Sequence, residues 1–125
     1  MFTISVESTF EAAHCLREYE GKCANLRGHN WKARVTLSAP ELDRRGMVVD
    51  FLEVKQALDA LTGYLDHQHI NERPPFTEVN PTAENLARWL HEELGKKLDT
   101  PGVTVEAVQV WETEHFVATY RPHPA

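Results

Sequence analysis

The chain alternates at both ends and does not alternate in the middle, and this change of period limits the folds open to it. Near the start, Phe2, Ile4, Val6 and Phe10 share one parity, with Thr3, Ser5, Glu7 and Thr9 on the other. That is the pattern of a half-buried β-strand. Trp31, Ala33, Val35, Leu37 and Ala39 repeat it against Lys32, Arg34, Thr36 and Ser38, and Pro40 ends the run. Gly21 and Gly28 punctuate the loop expected between the two strands. The apolar spacing then becomes three and four: Phe51, Val54, Leu58, Leu61 and Leu65 form one face of a helix. Asp50 stands at its N-cap, with Glu53 in capping-box position. A second helix is expected to open at Asn80-Pro81, since proline suits the first helical position. It carries Ala83, Leu86, Ala87, Leu90 and Leu94 on one stripe and stops before Pro101. Two further strands close the chain. Val103, Val105 and Ala107 alternate, but Val108 and Val110 continue on the opposite parity, which calls for a β-bulge near Ala107. Phe116, Ala118 and Tyr120 mark the last strand. The order ββααββ describes an α+β layer, an antiparallel sheet with two helices on one face.

A chain of 125 residues suits one domain, spanning 1–125. A net charge of −6, with Lys and Arg dispersed among acids, excludes the basic face of a nucleic-acid binder, so no nucleic-acid partner is expected. No apolar run is long enough to span a bilayer, and the first residues lack the pattern of a signal peptide. Two cysteines, Cys15 and Cys23, without a secretion signal do not make a disulfide framework. The expected compartment is the cytoplasm. Four strands with free edges invite pairing with another copy of the chain, so a homo-oligomer is expected.

The chemistry-bearing residues fall in a few short stretches. FEAAH ends at His14, CANLRGHNW holds Cys23, Arg27 and His29, YLDHQHIN holds Asp66 and His67, and VWETEHF holds Glu112. Each has a structural alternative. Either histidine can simply bond backbone, Cys23 can be a small buried hydrophobe, and Asp66-His67 can terminate a helix. Glu112 can be a solvated strand carboxylate. Taken together, Cys, His and Asp can also form an activated nucleophile or a general base.

FEAAH, C-x-x-L-x-G-H-N, G-x-V-x-D-F, LDHxxIN, NPTAENLA and V-x-E-T run in order along the chain. In this order they resemble the 6-pyruvoyl-tetrahydropterin synthases, and especially the bacterial 6-carboxy-tetrahydropterin synthase branch. The resemblance implies the tunnelling (T) fold, whose subunits join into β-barrels, commonly a hexamer of two stacked trimers with sites between subunits. It implies 7,8-dihydroneopterin triphosphate or a related pterin as the small-molecule partner. It further implies a zinc held by three histidines, a cysteine base, an Asp-His proton relay, elimination of triphosphate, and a glutamate gripping the pterin edge. By position, His14 and His29 match two zinc ligands, Cys23 the catalytic cysteine, and Asp66 and His67 the relay. Glu112 matches the pterin anchor, and Thr82 and Glu84 match residues lining the pterin pocket.

The departure is Arg27, where the family has its remaining zinc-binding histidine. A catalytic zinc keeps three protein ligands, and one is missing here. In extended backbone, residues 27 and 29 point the same way, which aims a permanent positive charge at the metal's place. At about 4 Å and an effective dielectric of about 20, that repulsion is roughly 8 kcal/mol. Zinc is therefore expected to be absent or weakly held, with Arg27 facing substrate instead. His69 and His115 are the other histidines that could complete a site, and neither has a spacing that recommends it. The reading is a pterin-binding homologue without a normal zinc site. Its alternatives are a fully active zinc-dependent synthase and a non-catalytic pterin-binding oligomer.

Overall fold

The computed structural model describes residues 1–17 and 25–123, so Cys23 and Gly21 lie outside the described residues. The element order is β1 (Phe2–His14), β2 (Arg27–Ala39), α1 (Phe51–Leu65), a single 3-10 turn (Ile70–Glu72), α2 (Ala83–Leu98), β3 (Thr104–Thr113) and β4 (Phe116–Tyr120). The strands form one antiparallel sheet in the order β1-β2-β3-β4. Both helices lie on one face, α1 against β1 and α2 against β3 and β4. This is the expected α+β layer. No helix of the described residues is long and apolar enough to cross a membrane.

The core follows from strand parity. Phe10 and Ala12 of β1, Trp31 through Ala39 at odd positions of β2, and Val105, Val108 and Val110 of β3 all face the helices. Leu58 and Leu65 of α1 and Leu86, Leu90 and Leu94 of α2 are fully buried against them. The one polar side chain on the buried stripe of β1 between Val6 and Phe10 is Ser8. Its hydroxyl bonds Asp59 Oδ1 (2.7 Å) and the Thr62 hydroxyl (2.8 Å) of α1, so no polar atom is stranded there.

The slip of phase near Ala107 is a bulge. Thr36 pairs with Ala107 but Leu37 pairs with Val105, which leaves Glu106 as the extra residue on β3. The Ser38 hydroxyl donates to Glu106 Oε1 at 2.6 Å and pins it. A second irregularity lies between Trp111 and Thr113, where β3 pairs with β4, and the residue spanning it is Glu112.

Three local expectations are corrected. Thr82, rather than Asn80, caps α2, and Pro81 precedes the helix. The Thr82 hydroxyl accepts the Asn85 N–H at 3.1 Å, while the Pro81 carbonyl is used by a histidine of β1. Gly28 belongs to β2, not to a loop, because β2 continues to Arg27 in register with the end of β1. Phe51 is exposed although it lies on the apolar stripe of α1: at the helix's first position it lines a shallow cavity with Phe2 and Met47. Asp50 does cap α1, accepting the Leu52 N–H at 2.9 Å.

Candidate functional site

The same parity that builds the core brings three of the sequence-marked residues together. His14 continues the buried stripe of β1, His29 that of β2 and Glu112 that of β3, so all three reach the helix-bearing face beyond Trp31. His14 Nε2 lies 3.1 Å from Glu112 Oε1, and His29 Nε2 lies 3.9 Å from the same oxygen. Among the described residues these three form the group of metal-binding side chains, their ligand atoms within 4.8 Å of one another.

The ring of Trp31 is the floor of the cluster. It meets the imidazoles of His14 and His29 edge-on, at centroid distances of 4.8 and 5.5 Å, and stacks on Phe10 at 5.8 Å. Its Nε1–H donates to the Ala12 carbonyl at 3.1 Å, which fixes the indole between the two strands. His14 is only 3% exposed, and its Nδ1 is 2.8 Å from the Pro81 carbonyl oxygen. His29 is half-buried, and this desolvation holds its pKa below the usual histidine range. Glu112 opposes the shift, while His14 and Arg27 add to it.

Arg27 sits opposite His14 in the β1–β2 ladder with its side chain exposed. It shares the parity of His29, as extended backbone requires, and its charge is felt there. His69 and His115 are not in the cluster. His69 bridges to Ala13 on the outer edge of β1, and His115 occupies the β3–β4 turn, where its N–H donates to the Thr113 hydroxyl.

Next to the cluster, Glu112 lines a cavity of about 310 Å³ with Thr82 and Glu84 at the start of α2 and Phe116 and Val117 of β4. The two pocket residues named from NPTAENLA are therefore beside Glu112. Leu16 and the apolar residues of β4 complete this wall, and nothing in their spacing singles them out as site residues.

Asp66 and His67 lie elsewhere. Asp66 ends α1, and the segment after it runs along the outer edge of β1: the His67 N–H donates to the Glu11 carbonyl (2.6 Å) and the Ala13 N–H to the Gln68 carbonyl (3.0 Å). Asp66 Oδ1 accepts the Glu11 N–H at 2.9 Å, and Oδ2 lies 3.0 Å from His67 Nδ1. The Glu11 N–H, with help from His67, keeps this carboxyl below its ordinary range. The His67 side chain is 73% exposed, and its backbone is left-handed at φ 56°. The pair lines a second cavity, about 490 Å³, with Thr9, Phe10 and Glu11 of β1 and Asn30, Trp31 and Lys32 of β2. The side chains of Thr9, Glu11, Asn30 and Lys32 have the parity of the helix-free face, opposite to that of His14 and His29.

A helix-layered antiparallel sheet with a His-His-Glu cluster at one end and an Asp-His pair on its free edge defines a T-fold protein. The chain belongs to the 6-pyruvoyl tetrahydropterin synthase family, whose sequence model matches residues 3–123. It is 37% identical over 125 residues to a 6-carboxy-5,6,7,8-tetrahydropterin synthase of Synechocystis, covering 96% of this chain and 93% of that protein. It is 33% identical over 114 residues to a dihydroneopterin monophosphate aldolase of Pyrococcus furiosus, covering 90% and 91%. Among solved structures, that of Caenorhabditis elegans 6-pyruvoyl tetrahydropterin synthase superposes with a TM-score of 0.85 at 26% identity, covering 98% of this chain and 96% of the other.

Proposed function

We infer that this chain binds and transforms a pterin, 7,8-dihydroneopterin triphosphate or a close relative, without the family's three-histidine zinc centre. The observation that carries the reading is Glu112. Its carboxylate borders a cavity large enough for a fused bicycle, and an ionised carboxylate accepts two hydrogen bonds from an amino-pyrimidinone edge. Thr82 and Glu84 sit at the same wall, at the N-terminal end of α2.

The three-histidine set does not fit this chain. Arg27 has no lone pair to offer a metal, and its guanidinium stays protonated at any working pH. In this reading Arg27, exposed beside His29, meets an anionic part of the substrate. The Asp66-His67 pair keeps the geometry of a proton relay, with the carboxylate fixed by backbone and the imidazole oriented by the carboxylate. It faces away from Glu112, so one subunit holds the parts of two half-sites. An oligomer, a hexamer by the family's pattern, supports a complete site by bringing a neighbour's relay to each Glu112 cavity. Phe116 and Val117, exposed on the edge strand beside that cavity, are apolar surface for such a contact. The relative named as an aldolase supports more than one chemistry on pterins within the family.

The test is neopterin and biopterin binding, followed by fluorescence, with the native chain and Glu112→Ala. Loss of binding with an unchanged circular dichroism spectrum is expected. Equal affinity in the variant would falsify the assignment.

A further inference from the structure

Between the 3-10 turn and α2, residues 73–82 have neither helix nor strand to order them, yet they lead directly into one wall of the Glu112 cavity. Their own turns use mainly N–H groups: Phe76 donates to the Arg73 carbonyl, and Glu78 and Val79 donate to that of Pro75. Carbonyls are left to be satisfied. That of Asn71 would take the N–H of residue 74 if the turn continued, but Pro74 has none. Arg17, just past the end of β1, supplies the missing donors. Its Nη2 donates to the Phe76 carbonyl at 2.6 Å and to that of Asn71 at 3.4 Å, and its Nη1 donates to that of Val79 at 3.1 Å. The backbone of Arg17 is tied to the same segment. Its N–H donates to Asn80 Oδ1 at 2.9 Å, and its carbonyl accepts from Asn80 Nδ2 at 3.3 Å. The Asn80 carbonyl then accepts the Thr82 N–H and the Asn85 side chain, which carries the connection into the first turn of α2.

We propose that Arg17 is a positioning residue for the Glu112 cavity, its guanidinium holding the segment before α2 against the end of β1. The use of the cavity rests on the pterin reading above; the clamp rests on these contacts. Arg17 does not line the cavity, but its neighbours in both directions of the contact do. Leu16, the residue before it, stands on one wall, and Thr82 and Glu84, just after Asn80, stand on the other. A spacing set at Arg17 is therefore a spacing between the surfaces that enclose a flat ligand. The side chain suits the task. A guanidinium presents several donors in a fixed plane and stays charged, whereas a lysine offers one compact ammonium that cannot span carbonyls from three residues. Without the clamp, a segment held by few bonds of its own opens locally at little cost, and the walls lose their fixed separation.

The experiment compares the full-length native protein with Arg17→Met, which keeps the length and removes the donors, and with Arg17→Lys. Amide hydrogen exchange over residues 76–86 and neopterin affinity by fluorescence are both measured. In Arg17→Met, exchange in that segment should quicken by at least about tenfold while the amides of α1 keep their protection. Neopterin affinity should fall about 10- to 100-fold, the scale of a displaced binding wall. Guanidinium ion at a few millimolar, far below denaturing concentrations, should recover affinity in Arg17→Met and leave the native protein unchanged. Arg17→Lys should fall between the two, and it decides the matter if Arg17→Met does not fold. Unchanged exchange over 76–86 overturns the proposal, and so does faster exchange with unaltered neopterin affinity. Native protein that binds no neopterin, with exchange still quickened in Arg17→Met, sinks the functional reading and leaves the clamp standing.

Discussion

Trp31→Phe tests whether the cluster is held by its floor. Trp31 is 1% exposed, so the substitution is felt entirely by the core and the two histidines. The change removes the Nε1–H bond to the Ala12 carbonyl, a loss of about 1 kcal/mol net. Roughly 40 Å² of buried apolar surface goes with it, about 1 kcal/mol at about 25 cal/mol per Å². The space left by the missing ring, roughly 40 Å³, costs about 1 kcal/mol more at about 24 cal/mol per Å³. Together these lower stability by about 3 kcal/mol. In urea, with a slope of about 1–3 kcal/mol per M, the midpoint should fall by about 1–3 M. The same loss frees two imidazoles that now rest against the indole edge-on. A stability loss below about 1 kcal/mol would show that the strands hold the histidines without the indole.

Two further outcomes concern the opposite face of the sheet and its edge. Glu7 is held below the ordinary carboxylate range chiefly by the hydrogen bond from Arg34, with the nearby charge of Arg34 and Lys32 adding to it. Because the folded pKa is depressed, this stabilisation is present above the unfolded value near 4.5 and is lost as pH falls through the folded one. Urea midpoints of Arg34→Met should therefore decline less steeply than those of the native chain between pH 5 and the acid limit, and parallel profiles would count against the pairing. At the edge, His67 sits at φ 56°, a conformation that costs a non-glycine residue about 1–2 kcal/mol. His67→Gly relieves this at a cost of about 0.5–1 kcal/mol in unfolded-chain entropy. A slightly higher midpoint is expected together with loss of turnover on a dihydropterin substrate; a lower midpoint would mean that the imidazole's contacts outweigh the strain.

Periodicity made most of the fold legible, because in strands and amphipathic helices the same pattern both forms the element and buries it. The parity slip at Ala107–Val108 even located the bulge to within one residue of Glu106. What failed was local competition. Proline at position 81 looked like a helix start, yet the Thr82 hydroxyl is the better cap, and the Pro81 carbonyl serves His14. In the site, parity alone aligned His14, His29 and Glu112. Spacing could not show that Glu112 stands beside the histidines, since that depends on cross-strand register. Nor could it show that Asp66-His67 lies across the sheet, since that depends on how the segment after α1 folds over the edge of β1.

The bulge at Glu106 also sets a rule of length. Before it, odd-numbered residues of β3 face the helices; after it, even-numbered ones do, and Glu112 is among them. Six residues of strand, about 20 Å at about 3.3 Å each, carry that phase from the bulge to the cluster. Deleting Glu106 takes out the extra residue, so Val105 and Ala107 pair consecutively with Leu37 and Thr36, and Val105, Val108, Val110 and Glu112 keep their face. Inserting one residue between Val110 and Glu112, with the ladder kept regular, instead turns the strand beyond it to the other face. Glu112 then faces the Asp66-His67 side of the sheet, away from His14 and His29. The count of residues between the bulge and Glu112 decides which face the carboxylate takes, and a variant can lose its site by arithmetic while every residue of that site is still in the chain.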